Sequence, residues 1–164
     1  MKKPFATRAC VLAVLLVLGG CDTANQAPAG AATDAAVDVT FVEWDSYVIH
    51  FNAFTTDQLA AEVARNYAIT RSKSRAMLNV TVLQKQPNGT NKAVKAKVAV
   101  QTTNLANQVK DLTLREIVEG DGEAIYYVGD TAVANGETLV FDIEATPEGG
   151  TPSPRVKFQR HFTY

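Results

Sequence analysis

Cysteine is nearly missing from this 164-residue chain: Cys10 and Cys21 are the two present, and none follows. From residue 22 onward a disulfide, a thiolate nucleophile and a cysteine metal site are all excluded. Histidine is almost as scarce, with His50 and His161 the two imidazoles able to act as a base near neutral pH or to ligate a metal. Methionine after the start is Met77 alone. Serine is sparse too, and Ser46, Ser72, Ser74 and Ser153 sit in no Gly-x-Ser-x-Gly elbow. Long apolar runs are lacking. Ala9 to Leu18 is too short for a bilayer core, which needs about 20 apolar residues. Acids are absent between Arg65 and Lys110.

What is there begins at the amino terminus. Lys2, Lys3 and Arg8 form a positive start, and the apolar run behind them has the length of a secretory signal. The run ends in Leu18-Gly19-Gly20-Cys21. This resembles the lipobox of bacterial lipoproteins, in which the cysteine is lipidated and the signal, here residues 1–20, is cut off before it. By that resemblance Cys21 becomes the first mature residue and a membrane anchor. Asp22 behind it resembles an inner-membrane retention signal, a receptor-read address. The expected location is the periplasmic side of a membrane, with the inner one favoured over the outer.

Residues 21–36 are rich in Ala, Thr, Pro and Gly without apolar periodicity, and read as a tether. As a flexible coil it would reach about 21 Å.

Residues 37–164 suit one domain, and their main signal is alternation. Tyr47, Ile49 and Phe51 share a face, as do Leu78, Val80 and Val82. Val94, Ala96, Val98 and Val100 follow suit, then Leu139, Phe141 and Ile143, then Val156, Phe158 and Phe162. Ala124 to Val133 is apolar on both faces, as a central strand would be. Asn88-Gly89 predicts a two-residue hairpin turn. Thr55 and Gln58 have capping-box spacing, and Leu59, Val63 and Tyr67 form one stripe, so a helix is expected over Thr56–Tyr67. The predicted fold is all-β: an Ig-like β-sandwich of seven or eight mainly antiparallel strands with one short helix. A partly open barrel is the competitor. The expected core includes Tyr47, Ile49, Phe51, Leu78, Val80, Val82, Val98, Ile125, Phe141, Ile143 and Phe158. Arg160 interrupts the last apolar face, which predicts a bulge or a paired arginine.

Several stretches resemble the domain-of-unknown-function family numbered 4426, small exported proteins of Gram-negative bacteria. They are Val48-x-His50-Phe51-x-Ala53-Phe54, Glu62-Val63-Ala64-Arg65, Arg71-Ser72-Lys73, Leu78-Asn79-Val80, and Arg115 to Val128. The likeness spans most of residues 41–164. It implies no activity and no catalytic residues.

Charge is segregated. Arg65 to Lys110 carries nine cations, while Asp111 to Glu148 carries ten acids and one cation, Arg115. Either facing strands pair the two signs, or the fold presents a basic and an acidic face. Within the basic span, Arg71, Lys73 and Arg75 share one side if extended, with Arg65 near the end of the helix. These four are the candidate site for an anion, whether phosphate, carboxylate or lipid headgroup. The bland alternative is that they satisfy the helix end and nearby acids.

Other constellations are weaker. Glu119, Asp121 and Glu123 alternate with glycines and could hold calcium, or form a solvated acidic turn. Asp142 and Glu144 lie on one strand face, either as a glycosidase pair or simply in solvent. His50, His161 and Met77 could bind copper or zinc but lack ligand spacing. The expectation is a lipid-anchored, periplasm-facing binding or adaptor module of the cell envelope, not an enzyme, with no cofactor and no metal. Its partners are the membrane through Cys21 and an envelope protein or anionic ligand. Nucleic acid is excluded by compartment and by a net charge of −1. The competing reading is a small periplasmic hydrolase or metal-handling protein using His50 or His161.

Overall fold

Alternating apolar residues lay out ten strands in the computed structural model, which describes residues 40–164. In chain order they are β1 (Phe41–Trp44), β2 (Tyr47–Thr55), β3 (Arg75–Lys85), β4 (Asn91–Ala93) and β5 (Ala96–Asn104). There follow β6 (Val109–Lys110), β7 (Arg115–Glu119), β8 (Ala124–Ala132), β9 (Glu137–Pro147) and β10 (Val156–Phe162). Between β2 and β3 lie a 3-10 turn (Thr56–Gln58) and the helix α1 (Ala61–Asn66). The seven or eight expected strands correspond to the longer ones, with β4 and β6 as short additions.

The strands form two antiparallel sheets. One runs β1-β2-β3-β8-β7, with β4 also on β3, and the other runs β10-β9-β5-β6. Taking β2, β3, β8 and β7 as A, B, E and D, and β10, β9 and β5 as G, F and C, this is the immunoglobulin order. The inner faces meet in a core that includes Ile49, Phe51, Leu78, Val80, Val82, Ile125, Phe141 and Ile143. Tyr47, Val98 and Phe158, also expected there, are half-buried at its margin. Three rings join the sheets: Phe158 lies 4.8 Å from Phe51 and 4.9 Å from Phe141 between ring centres.

A polar bolt adds to this. The Tyr127 hydroxyl on β8 accepts the Ala96 N–H of the opposite sheet at 2.7 Å and donates to Glu116 at 3.1 Å. Burial pushes this phenol above its usual pKa, Ala96 pulls it down, and Glu116 raises it further. Gly129 on β8 serves close approach. A Cβ there would stand 2.5 Å from the Thr113 carbonyl oxygen, where the chain crosses from one sheet edge to the other. Gly129→Ala is therefore expected to destabilise by about 1–3 kcal/mol, measured by urea unfolding.

Three expectations need correction, and a fourth is decided between its two alternatives. The Thr56–Tyr67 helix is broken, because Leu59 and Ala60 are extended, with ψ of 141° and 139°. Its first turn cannot join α1 because Thr56 is fully buried and bonded to residues 70–72. Gln58 does bond Thr55, at 3.0 Å, but side chain to side chain and not as a helix cap. Second, the Val94–Val100 run is not one strand. Ala93 ends β4 in the first sheet and Ala96 opens β5 in the second. Third, the Asn88-Gly89 turn is wider than two residues. Gln86 N–H bonds the Thr90 carbonyl at 2.8 Å, and Gly89 takes the positive φ of 82° that the bend requires. Fourth, β10 pairs with β9 continuously from Val156 to Phe162, so Arg160 makes no bulge. It is the paired arginine instead, with Nη2 on Asn52 Oδ1 at 3.2 Å.

Charge segregation resolves in part into pairing. Three cations of the basic span meet acids of the acidic one: Arg75 with Asp130, Lys95 with Glu116 at 3.5 Å, and Lys110 with Glu137 at 2.7 Å. Glu137 also accepts the Ala134 N–H at 2.9 Å and the Asn104 amide at 3.2 Å. Burial alone would raise its pKa, but these donors together hold it below the ordinary glutamate value. A depressed carboxylate stabilises the fold above its unfolded-state pKa and loses that contribution as pH falls through the folded one. Glu137→Gln is thus expected to be less stable than wild type at neutral pH. The gap should close on acidification below about pH 4, read from urea midpoints across pH.

Candidate ligand groove beneath the helical flap

Residues 56–72 cross the outer face of the first sheet as a flap. Three ties hold it. The buried Thr56 hydroxyl accepts the Ser72 N–H at 2.9 Å and donates to the Thr70 carbonyl at 2.8 Å, clasping both feet together. Arg71 Nη2 donates to the Asp57 carbonyl at 2.6 Å. Arg115, from the edge strand β7, donates to the Tyr67 carbonyl behind α1. Beneath the flap is a cavity of about 420 Å³. Its roof is the predicted stripe Leu59, Val63 and Tyr67. Its floor is the outward face of the sheet, with Phe54 on β2, Met77 and Asn79 on β3, and Tyr126 and Val128 on β8. Glu62 and Glu119 also line it.

The sequence-derived candidates disperse around this groove. Arg75 is spent on Asp130, as the bland alternative had it, while Arg71 is spent on a carbonyl of the 3-10 turn. Arg65 and Lys73 are exposed, and among the described residues neither has an ion-pair partner. A larger open cleft at the β7–β8 edge holds Arg75, Lys110 and Arg115, but each of these cations already has a partner within the chain. Cys21 and the tether lie outside the described residues.

The two histidines do not converge. His50 is exposed on the outward face of the first sheet, its ring 5.6 Å from Phe41. His161 is exposed on the outward face of the second, with Nδ1 2.9 Å from Thr138 Oγ1. Met77 is buried under the flap. Asp142 and Glu144 share Arg155, at 3.4 and 3.7 Å. In the acidic turn, Glu119 lines the groove, while Asp121 and Glu123 line a separate depression with Lys92. Among the described residues no three His, Cys, Asp or Glu side chains gather as a metal site.

The groove itself was not foreseen, although its signals were present. Apolar residues on both faces of Ala124 to Val133 meant a covered outer face. The cover is the Leu59-Val63-Tyr67 stripe, which the sequence places on a helix but cannot aim.

A family model described as Domain of unknown function (DUF4426) matches residues 41–164. The chain belongs to the DUF4426 family. Comparison with curated proteins finds no match. Among solved structures, the DUF4426 domain is similar to the DUF4426 family protein PA0388 from Pseudomonas aeruginosa PAO1. The two are 26% identical with a TM-score of 0.63, over 75% of this chain and 93% of that one. Phe54, Glu62, Val63, Asn79, Ile117, Glu119, Tyr126 and Val128 fall in the stretches that carried the family resemblance, and all line the groove of this DUF4426 domain.

Proposed function

We propose that the chain is a lipid-anchored, periplasm-facing binding module of the bacterial cell envelope, with a small ligand seated beneath the flap. The groove is the observation that carries this. Its volume of about 420 Å³ lies within the range of small-molecule sites, roughly 300–1,000 Å³. Its walls are mostly apolar and aromatic, with a few polar groups to orient a guest. The ties at Thr56, Arg71 and Arg115 preform the roof, which lowers the ordering cost of binding. Titrating small apolar fragments should shift the amide signals of groove residues. Shifts confined to other surfaces would overturn the assignment.

The anchor rests on the lipobox-like Leu18-Gly19-Gly20-Cys21. A lipoprotein-type modification supplies more than one acyl chain, and two membrane signals give stable retention where one gives marginal binding. Cys21→Ser is expected to stall processing, leaving an unlipidated precursor. Mass spectrometry of the membrane fraction checks the wild type for a chain starting at lipidated Cys21. A soluble mature chain with a free Cys21 thiol would refute the anchor.

A further inference from the structure

We infer that Asn88 is a self-modifying site, at which the backbone nitrogen of Gly89 converts the side-chain amide to aspartate and isoaspartate. Asn-Gly occurs twice in the chain, at Asn88-Gly89 and Asn135-Gly136, and all four residues are exposed. Glycine leaves the approach to its nitrogen open: a Cβ built on Gly89 would meet nothing within 4 Å. The amide of Asn88 is held ready for attack. Its Oδ1 atom accepts the Thr90 N–H at 3.0 Å and the Thr90 hydroxyl at 2.7 Å. Two donors on one amide oxygen act as a small oxyanion hole, because their bonds strengthen as charge develops on that oxygen.

The step needs no reagent but water. Solvent base takes the Gly89 N–H proton, and the nitrogen attacks Asn88 Cγ. The new N–Cγ bond puts the negative charge on Oδ1, facing the two Thr90 donors. Collapse breaks the Cγ–Nδ2 bond, and ammonia leaves with a proton from solvent. Water then opens the succinimide at either carbonyl. One product is aspartate; the other is isoaspartate, whose main chain runs through the former side-chain carbonyl. Each event adds an anion to the exposed turn between β3 and β4.

Asn135 is the built-in comparison. Among the described residues its Oδ1 accepts one donor, the Tyr164 N–H at 2.8 Å. The Gly136 N–H is held by the Phe162 carbonyl of β10 at 2.8 Å. The Glu137 carboxylate closes the same turn by accepting the Ala134 N–H, and it disfavours a second negative charge there. The Gly89 N–H also has a partner, the Gln86 carbonyl at 3.0 Å, but that bond lies inside its own turn. It opens with the turn and leaves both sheets in place.

The test incubates the full chain at mildly alkaline pH and follows each asparagine by peptide mass spectrometry. An isoaspartate-specific methyltransferase gives a second readout. Asn88 is expected to show the mass gain of an amide-to-acid exchange first, with isoaspartate in the product and a rate that rises with pH. Asn135 should lag by about tenfold, as one charge-assisted contact would give. Thr90→Val should slow Asn88 by roughly two- to tenfold, the worth of one hydrogen bond, and leave Asn135 unchanged. Circular dichroism confirms that the variant is folded. In urea, where both turns are lost, the two wild-type rates should converge. Asn135 converting as fast as Asn88 in the folded chain would overturn the inference. So would an Asn88 that keeps its amide throughout, an unchanged rate in Thr90→Val, or a gap between the two sites that persists in urea.

Discussion

Phe141→Ala is expected to lower the unfolding free energy by about 3–5 kcal/mol, the range for removing a fully buried ring. Phe141 is 0% exposed and lies on β9, between β10 and β5. Its ring stacks on Phe158, which in turn touches Phe51 of the opposite sheet. The substitution thus removes the ring that backs Phe158 where it meets the opposite sheet. Neighbours cannot collapse into the space easily, because Leu139, Ile143 and Val80 around the core are themselves fixed in strand ladders. No disulfide can compensate, since the chain has no cysteine beyond Cys21. A domain of this size has roughly 5–15 kcal/mol in all, so the loss is a large fraction of it. Urea unfolding monitored by circular dichroism gives the number. A loss under about 1 kcal/mol would mean the ring is not the sandwich's centre.

Thr56→Val is expected to cost about 2–4 kcal/mol, and to spend it locally. Valine keeps the shape and the buried methyl groups. It removes the hydroxyl that accepts from Ser72 N–H and donates to the Thr70 carbonyl. Both backbone groups are then left without that partner; they are only part-buried, so each loss lies toward the lower end of about 1–3 kcal/mol. The flap remains tied by Arg71 and Arg115, so it loosens without leaving. Hydrogen exchange should accelerate across residues 59–72 while the β2–β3 and β9–β10 ladders keep their protection. Groove affinity should fall in step. Uniform acceleration throughout would instead mark Thr56 as part of the global core.

Much of the sandwich was legible because strands write their two faces in a period of two. Ile49 and Phe51 against His50 and Asn52 give inside and outside from residues two apart, and every one of these sides is as expected. Less of the flap was legible. Helix propensity and spacing suggested a helix from Thr56, but a buried hydroxyl bonded sixteen residues away decides where the first turn stops. The Val94–Val100 run shows the same limit, since alternation continues through the point where the chain changes sheets.

The candidate site divides in the same way. The Leu59-Val63-Tyr67 stripe and the doubly apolar Ala124–Val133 run are properties of neighbouring residues, and the sequence by itself determined that each would bury an outward face. That the two cover one another depends on a chain crossing, which no local pattern encodes. The basic span shows it most plainly. The chain alone determined that nine cations would share one span without an acid among them. Only the tertiary structure gave Arg75 to Asp130, fifty-five residues on, and Arg71 to a backbone carbonyl. It left Glu62 and Glu119 beside an apolar cavity, because charge pairing acts over a few ångströms in space, whatever the distance along the chain.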